Sequence, residues 1–226
     1  MFVPLNLPSD LKPYQDIGSE GIRVRVLKGK DQQLIAEMST SNLKKKLLIL
    51  LSDTIQGIDP LKLTSGDVNY IILWQAINSY GSKYPIPKLV CEECLISSTI
   101  SVDLNDISST DLSDDFAGLY SIGLSDKIVK MRCMTLADEM AILDYSKSGE
   151  STYLFQYAQV LVDDTNVIER TKMLEELNVK ELNTIISTFD KMKHGPDMVV
   201  SYTCPKCAYE GKVELPFRPL DLLSPR

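Results

Sequence analysis

Two Cys-x-x-Cys pairs, Cys91-Glu92-Glu93-Cys94 and Cys204-Pro205-Lys206-Cys207, constrain this chain more than any other feature. Each pair lies between two strand-like runs. Lys88-Leu89-Val90 precedes the first and Thr99 to Leu104 follows it; Val199 to Tyr202 precedes the second and Gly211 to Leu215 follows it. A Cys-x-x-Cys in the turn of a hairpin is a zinc knuckle, because the turn folds back and its two thiolates converge. Two knuckles facing one another offer four sulfurs in a tetrahedron, which is how structural Zn2+ is held. In the second pair proline presets the turn and lysine offsets thiolate charge. In the first, two glutamates add repulsion beside a dianionic site. A thioredoxin-like pair opens a helix after a strand. Strands follow both pairs here, which counts against a thiol oxidoreductase.

The knuckles stand about 110 residues apart, well beyond the ~15 to 20 of a compact zinc ribbon. The surrounding pattern accounts for the distance, because one order of elements occurs twice. In the first half Ile22 to Leu27 alternates as a strand and Asp31 opens a helical stretch. A helix follows over Asn42 to Ile55 with Leu43, Leu47, Leu50, Leu51 and Ile55 on one face. Thr64-Ser65-Gly66-Asp67 caps a helix carrying Val68, Ile71 and Ile72, which ends near Gly81. In the second half Ile128 to Met134 is the strand, and Thr135 caps a helix with Asp138 at the third position. Helices follow over about Thr152 to Val162 and Val179 to Lys193, the latter with Leu182, Ile185, Ile186 and Phe189 on its face and ending near Gly195. The matches are Arg25-Val26-Leu27 with Arg132-Cys133-Met134, Asp31 with Asp138, Val68/Ile71/Ile72 with Leu182/Ile185/Ile186, Gly81 with Gly195, and Cys91/Cys94 with Cys204/Cys207. Loop insertions absorb the small drift in offset.

The expected fold is therefore α+β: two pseudo-repeats of a small β element plus helices, joined where a pair of CxxC hairpins forms a zinc ribbon. The expected boundaries are an N-terminal extended segment (1–21), a first pseudo-repeat (22–104), an acidic Ser/Asp-rich linker (105–125) with few core residues, a second pseudo-repeat (126–215) and a Pro-rich apolar tail (216–226). Ser146 to Glu150 marks a weaker break between helices. Three prolines keep the tail from forming a long helix. Both it and the proline-bearing start are read as straps on their own domain or as segments that dock on a partner.

At 226 residues, 44% of them hydrophobic, the chain can bury a sizeable core. Its net charge of −7 counts against a general nucleic-acid or anionic-membrane binder, since phosphate contacts need clustered Lys and Arg. A zinc-ribbon adaptor for nucleic acid or a host protein complex is the rival that this acidity weighs against. No apolar run reaches the ~18 to 20 residues of a membrane helix, and the start shows neither a basic region nor a small-residue cleavage site. Five cysteines, four of them paired as CxxC, fit a reduced compartment better than a disulfide framework.

Residues for catalysis are missing. The sole histidine, His194, reads as a helix C-terminal residue that favours the dipole. No phosphate-binding glycine loop, GxSxG or HExxH occurs, and Asp114-Asp115 and Asp163-Asp164 read as solvated loop. Lys44-Lys45-Lys46 reads as the solvated face of its helix. Cys133 matches Val26 on an apolar strand and reads as a buried core thiol. The expectation is no enzyme.

Leu63-Thr64-Ser65-Gly66-Asp67, Asn78-Ser79-Tyr80-Gly81, the first CxxC with Val102-Asp103-Leu104, Met134-Thr135-Leu136-Ala137-Asp138-Glu139, and Cys204-Pro205-Lys206-Cys207 with Val213-Glu214-Leu215-Pro216 occur in that order. Together they resemble the tail baseplate proteins of contractile-tailed phages, within these the T-even type baseplate hub and hub-assembly family. The similarity runs from about Ile22 to Pro225. It implies a structural or chaperone-like part in building the baseplate hub, contacts with other baseplate or tail hub proteins, and no enzymatic activity. It places the protein in the host cytoplasm during assembly and in the virion tail baseplate if it is retained there.

Overall fold

The computed structural model describes residues 1–15, 17–215 and 219–223. Strand β1 (Phe2–Pro4) pairs antiparallel with β2 (Arg23–Arg25), the centre of the Ile22-to-Leu27 alternation. Two helices follow, α1 (Gly29–Ala36) and α2 (Leu43–Thr54). The second runs straight into β3 (Ile55–Gln56), which closes a sheet of order β1-β2-β3. The apolar stripe of α2 buries Leu47, Leu50 and Leu51 against this sheet and against α3 (Ser65–Tyr80). Thr64 starts α3 by accepting the Asp67 N–H on its hydroxyl. Gly81, at φ +91°, ends it in a backbone region that favours glycine. The chain then forms a hairpin of β4 (Lys83–Val90) and β5 (Ser97–Asp103). Pro85 and Pro87 confine β4 to an edge, and a bulge at Pro87-Lys88 bends it, with Lys88 at φ +58°.

A two-residue strand, β6 (Ser109–Thr110), leads to the second set: β7 (Tyr120–Gly123), β8 (Ile128–Met131), α4 (Leu136–Ser146), α5 (Tyr153–Val160) and β9 (Leu161–Val162). These strands form a sheet of order β7-β8-β9. Helices α6 (Val167–Glu175) and α7 (Val179–Lys191) complete the layer. Strand β10 (Gly195–Pro196) pairs with β6, and β11 (Val199–Thr203) pairs with β12 (Glu210–Glu214) as the second hairpin. A last helix, α8 (Pro219–Leu223), lies on α3.

The protein is thus α+β, and the two halves repeat one plan: a three-stranded antiparallel sheet, a helix after its middle strand, a second helix feeding its third strand, and a terminal CxxC hairpin. Equivalent residues make equivalent bonds. Arg25 pairs with Asp31 and reaches the carbonyls of Val26 and Asp53; Arg132 pairs with Asp138 and reaches those of Cys133 and Gln159. Two cores result. The second holds Met131, Cys133, Tyr157, Ala158, Val160 and Ile185. The first holds the first half together with Val200, Tyr202 and Leu215 from the second hairpin. The second hairpin has therefore crossed to the first core.

Several expectations differ from the structure. The acidic segment 105–125 buries Leu112, Phe116 and Ile122 and supplies β6 and β7, because Asp and Ser occupy only its outward positions. The stretch 152–162 is helical only to Val160, since Leu161 pairs with Met131 in the sheet. Helix α7 ends at Lys191, so Gly195 does not correspond to Gly81 as a helix stop. It takes φ +103° to lie against Gly66. Lys44 is not merely solvated: its amine donates to Met140 O at 2.5 Å and pairs with Asp144 on α4. Of the tail, Leu222 and Leu223 are buried in the first core, and Tyr80 donates to Leu223 O at 2.6 Å. Residues 216–218 and 224–226 lie outside the described residues. The N-terminal segment packs likewise, with Leu7 and Ser9 buried.

Candidate metal centre

The turns of the two hairpins are built alike. In the first, Leu95 N–H donates to Cys91 O and Cys91 N–H to Ile96 O. In the second, Ala208 N–H donates to Cys204 O and Cys204 N–H to Tyr209 O. Leu95 and Ala208 each follow the second cysteine of their pair, and both take left-handed φ, +58° and +61°. That conformation costs a residue with a Cβ roughly 1–2 kcal/mol. The fold accepts it in both turns because it folds each knuckle back on itself.

The four thiols meet between the hairpins. Cys91 Sγ lies 3.7 Å from Cys207 Sγ, Cys94 Sγ 3.8 Å from Cys204 Sγ, and all four sulfurs fall within 4.8 Å of one another. A sulfur tetrahedron with metal bonds of ~2.3 Å has edges of about 3.8 Å, whereas a disulfide needs ~2.05 Å. The spacing is compatible with a metal cage and too long for a disulfide. Each close pair joins one hairpin to the other, so neither knuckle completes the tetrahedron alone.

The electrostatics point the same way. Backbone N–H groups of Cys207 and Lys206 draw the Cys204 thiol down to about 6. The Tyr209 N–H favours a Cys207 thiolate too, yet burial and the thiols of Cys204, Cys94 and Cys91 push Cys207 up to about 12. One negative charge is favoured between the hairpins, and a further one is resisted in the absence of a cation. Tyr209 donates to Glu92 at 3.4 Å across the two knuckles, which ties down one of the glutamates that the sequence set against the site.

Cys133 stands apart, 4% exposed in the second core, with its thiol pushed up to about 12 by burial and by the charge of Asp67. His194 is not a helix C-terminal residue. It lies beyond α7 at the start of α3, with Nδ1 donating to Met192 O at 2.8 Å and Nε2 facing the Thr64 hydroxyl at 2.7 Å. Asp67, fully buried beside it, accepts from Ser9 N–H at 3.1 Å and from the Tyr14 hydroxyl. Burial, and after it the Asp67 charge, raises the Tyr14 pKa. This polar knot binds the N-terminal segment, α3 and the second half. An antiparallel bridge supports it, in which Ser65 N–H donates to Met134 O and Leu136 N–H to Leu63 O, both at 2.9 Å. Sequence reasoning found the caps Thr64 and Thr135 but not their pairing, which no local pattern announces.

Residues 6–216 match the family model described as T4 bacteriophage base plate protein. The chain belongs to that family. The matched span takes in both CxxC hairpins, helices α1 to α7 and the polar knot, so the base plate family likeness covers both halves rather than one. No curated protein and no solved structure matches the chain. Among the described residues of this base plate protein, no helix is long and apolar enough to cross a membrane.

Proposed function

We propose that this base plate protein is a non-catalytic component that forms or helps to assemble the hub of a contractile phage tail, and that Cys91, Cys94, Cys204 and Cys207 hold one structural Zn2+. The observation that carries the metal reading is the sulfur spacing of 3.7 and 3.8 Å between, rather than within, the knuckles. Four soft donors with no open position suit a closed structural zinc site better than a catalytic one. The metal would supply charge neutralisation and a crosslink. A structural zinc contributes on the order of 10 kcal/mol in small zinc domains, and here it would lock the second hairpin onto the first core. The partners are other baseplate and tail hub proteins, met in the host cytoplasm during assembly and, where the protein is retained, in the tail. The base plate family match supports the non-enzymatic reading.

The test is elemental analysis of the purified protein and of Cys91→Ser and Cys204→Ser, followed by complementation of a phage lacking the gene. One zinc per chain, lost in both variants together with tail completion, is the expected result. Iron in its place, or zinc retained after either substitution, overturns the shared zinc site. Normal tails from the metal-free variants would separate the metal from hub assembly.

A further inference from the structure

Helices α3 and α4 cross at the junction of the two halves and leave two clefts, of about 420 and 240 Å3, on either side of a common wall made by Asn69 and Glu139. On one side the lining is aliphatic, with Leu43, Leu47 and Ile72 below and Leu143 half exposed at the rim. On the other side Met134, Phe189 and Met192 form the wall. The two clefts share that wall, and together they offer a docking trench of two largely apolar pockets with the Glu139 carboxylate between them. Methionine at both ends (Met140 also lines the first cleft) gives walls that adapt to the shape of an occupant.

Glu139 is the informative residue. Burial pushes its carboxyl above the usual range; the nearby Ser65 hydroxyl works the other way, and the charge of Asp138 adds to the rise. No ion pair reaches it among the described residues. The two cations on the rims are already engaged, Lys44 by Asp144 and Lys193 by Asp190. A carboxylate in an apolar trench without a cation costs free energy, which an incoming cation offsets.

We infer that this trench receives an amphipathic helix of a partner protein, with apolar residues at helical spacing on either side of a central Lys or Arg that pairs with Glu139. A helix lying in a groove through anchors at i, i+3 or i+4, and i+7 is a recurrent recognition mode, and a trench with apolar ends and an acidic centre is its complement. The trench is formed jointly by α2, α3, α4 and the segment after α7, so it exists only when the two halves are docked. That would make binding a report on a correctly assembled protein.

The probe is a displayed library of amphipathic 16- to 20-residue helices, selected against the zinc-loaded full chain and counted again against Leu143→Glu and Glu139→Gln. Leu143 is 50% exposed, so Leu143→Glu leaves the fold intact, which circular dichroism and thermal unfolding verify. The expected result is enrichment of helices with a central Lys or Arg. Their binding should be lost on Leu143→Glu and weakened about tenfold or more on Glu139→Gln, a step of ~1.4 kcal/mol. Enriched helices without a central cation, binding indifferent to both variants, or no enrichment over the Leu143→Glu background would each overturn the proposal. So would concentration-dependent dimers in sedimentation that Leu143→Glu abolishes, since the occupant would then be a second copy of this chain.

Discussion

Arg25 and Asp31 face one another as a buried two-pronged ion pair, Nη1 to Oδ2 at 2.6 Å and Nη2 to Oδ1 at 3.0 Å, with 4% and 3% of their side chains exposed. Arg132 and Asp138 repeat it at 2.5 and 2.9 Å, but there the arginine side chain is 35% exposed. Each aspartate also accepts the N–H that opens its helix, from Lys28 and from Thr135. Asp31→Asn leaves a guanidinium buried and half satisfied, with Asp53 its remaining anion. Breaking such a pair costs about 3 kcal/mol. Asp138→Asn should cost about 1 kcal/mol, because Arg132 can turn to water. Urea midpoints at neutral pH measure both, and an equal or reversed order would contradict the burial difference.

The Arg25–Asp31 pair also bears on the acid limit of the fold. Burial alone would raise the Asp31 carboxyl, but the Arg25 guanidinium and the Lys28 N–H outweigh it and hold it below its ordinary value. The Ser82 hydroxyl, the Asn105 N–H and then Lys83 pull Asp103 down to about 2. A carboxylate whose folded pKa is depressed stabilises the fold above its unfolded pKa, near 3.8, and that contribution vanishes as pH falls through the folded value. The part of the thermal midpoint that Asp31 and Asp103 supply should therefore hold level from neutrality to about pH 4 and drop between there and about pH 2. Asp103→Asn should make that drop shallower, and an unchanged slope would remove Asp103 from the account.

Much of this was legible because it is local. Asp31 and Asp138 sit three residues past the capping residues Lys28 and Thr135, as a capping box requires, and the CxxC hairpins are bracketed by period-two strands. Helix α6 was legible too and was missed: Asn166-x-x-Glu169 is a capping box in which each side chain bonds the other residue's N–H. What the sequence could not disclose is tertiary. Arg25 and Asp31 were each matched to their counterparts, yet pattern alone does not say that they touch. The acidic run around Asp111 to Asp115 hid Leu112 and Phe116 as isolated apolar positions, and core membership depends on what the rest of the chain brings to them. The crossing of the second hairpin to the first core also lacks a local signal.

Gly66 and Gly195 mark where the halves press together. A Cβ on Gly195 would meet Gly66 O at 2.7 Å and its Cα at 2.9 Å, and one on Gly66 would collide with the His194 backbone. Gly66→Ala therefore forces α3 and the His194 segment apart and should destabilise by about 2 kcal/mol or more. Gly123→Ala is the control: its added Cβ meets nothing within 4 Å and its backbone is not in a region that disfavours alanine, so it should change stability by about 0.5 kcal/mol or less. Calorimetry of both variants decides the matter. If Gly66→Ala is no worse than Gly123→Ala, the close approach does not govern the docking of the halves.

The thiols separate a structural cage from a redox centre. With metal bound, all four knuckle sulfurs are ligated and should resist iodoacetamide at about pH 8. After chelation in native buffer the knuckles lose their crosslink; Cys204, whose thiol the Cys207 and Lys206 N–H groups draw down to about 6, should be modified first, and Cys91, Cys94 and Cys207 should follow as the hairpins part. Cys133 should stay unmodified until the second core unfolds, since it is 4% exposed and its thiol titrates near 12. Mass spectrometry of alkylated peptides, timed against loss of helical signal, reads all five sites. A knuckle cysteine that reacts rapidly in the metal-loaded protein, with the fold intact, would mark an unligated nucleophilic thiol and return the CxxC pairs to redox chemistry. Labelling of those four only on metal loss, with the fifth delayed to global unfolding, is what a metal clamp between two folded halves requires.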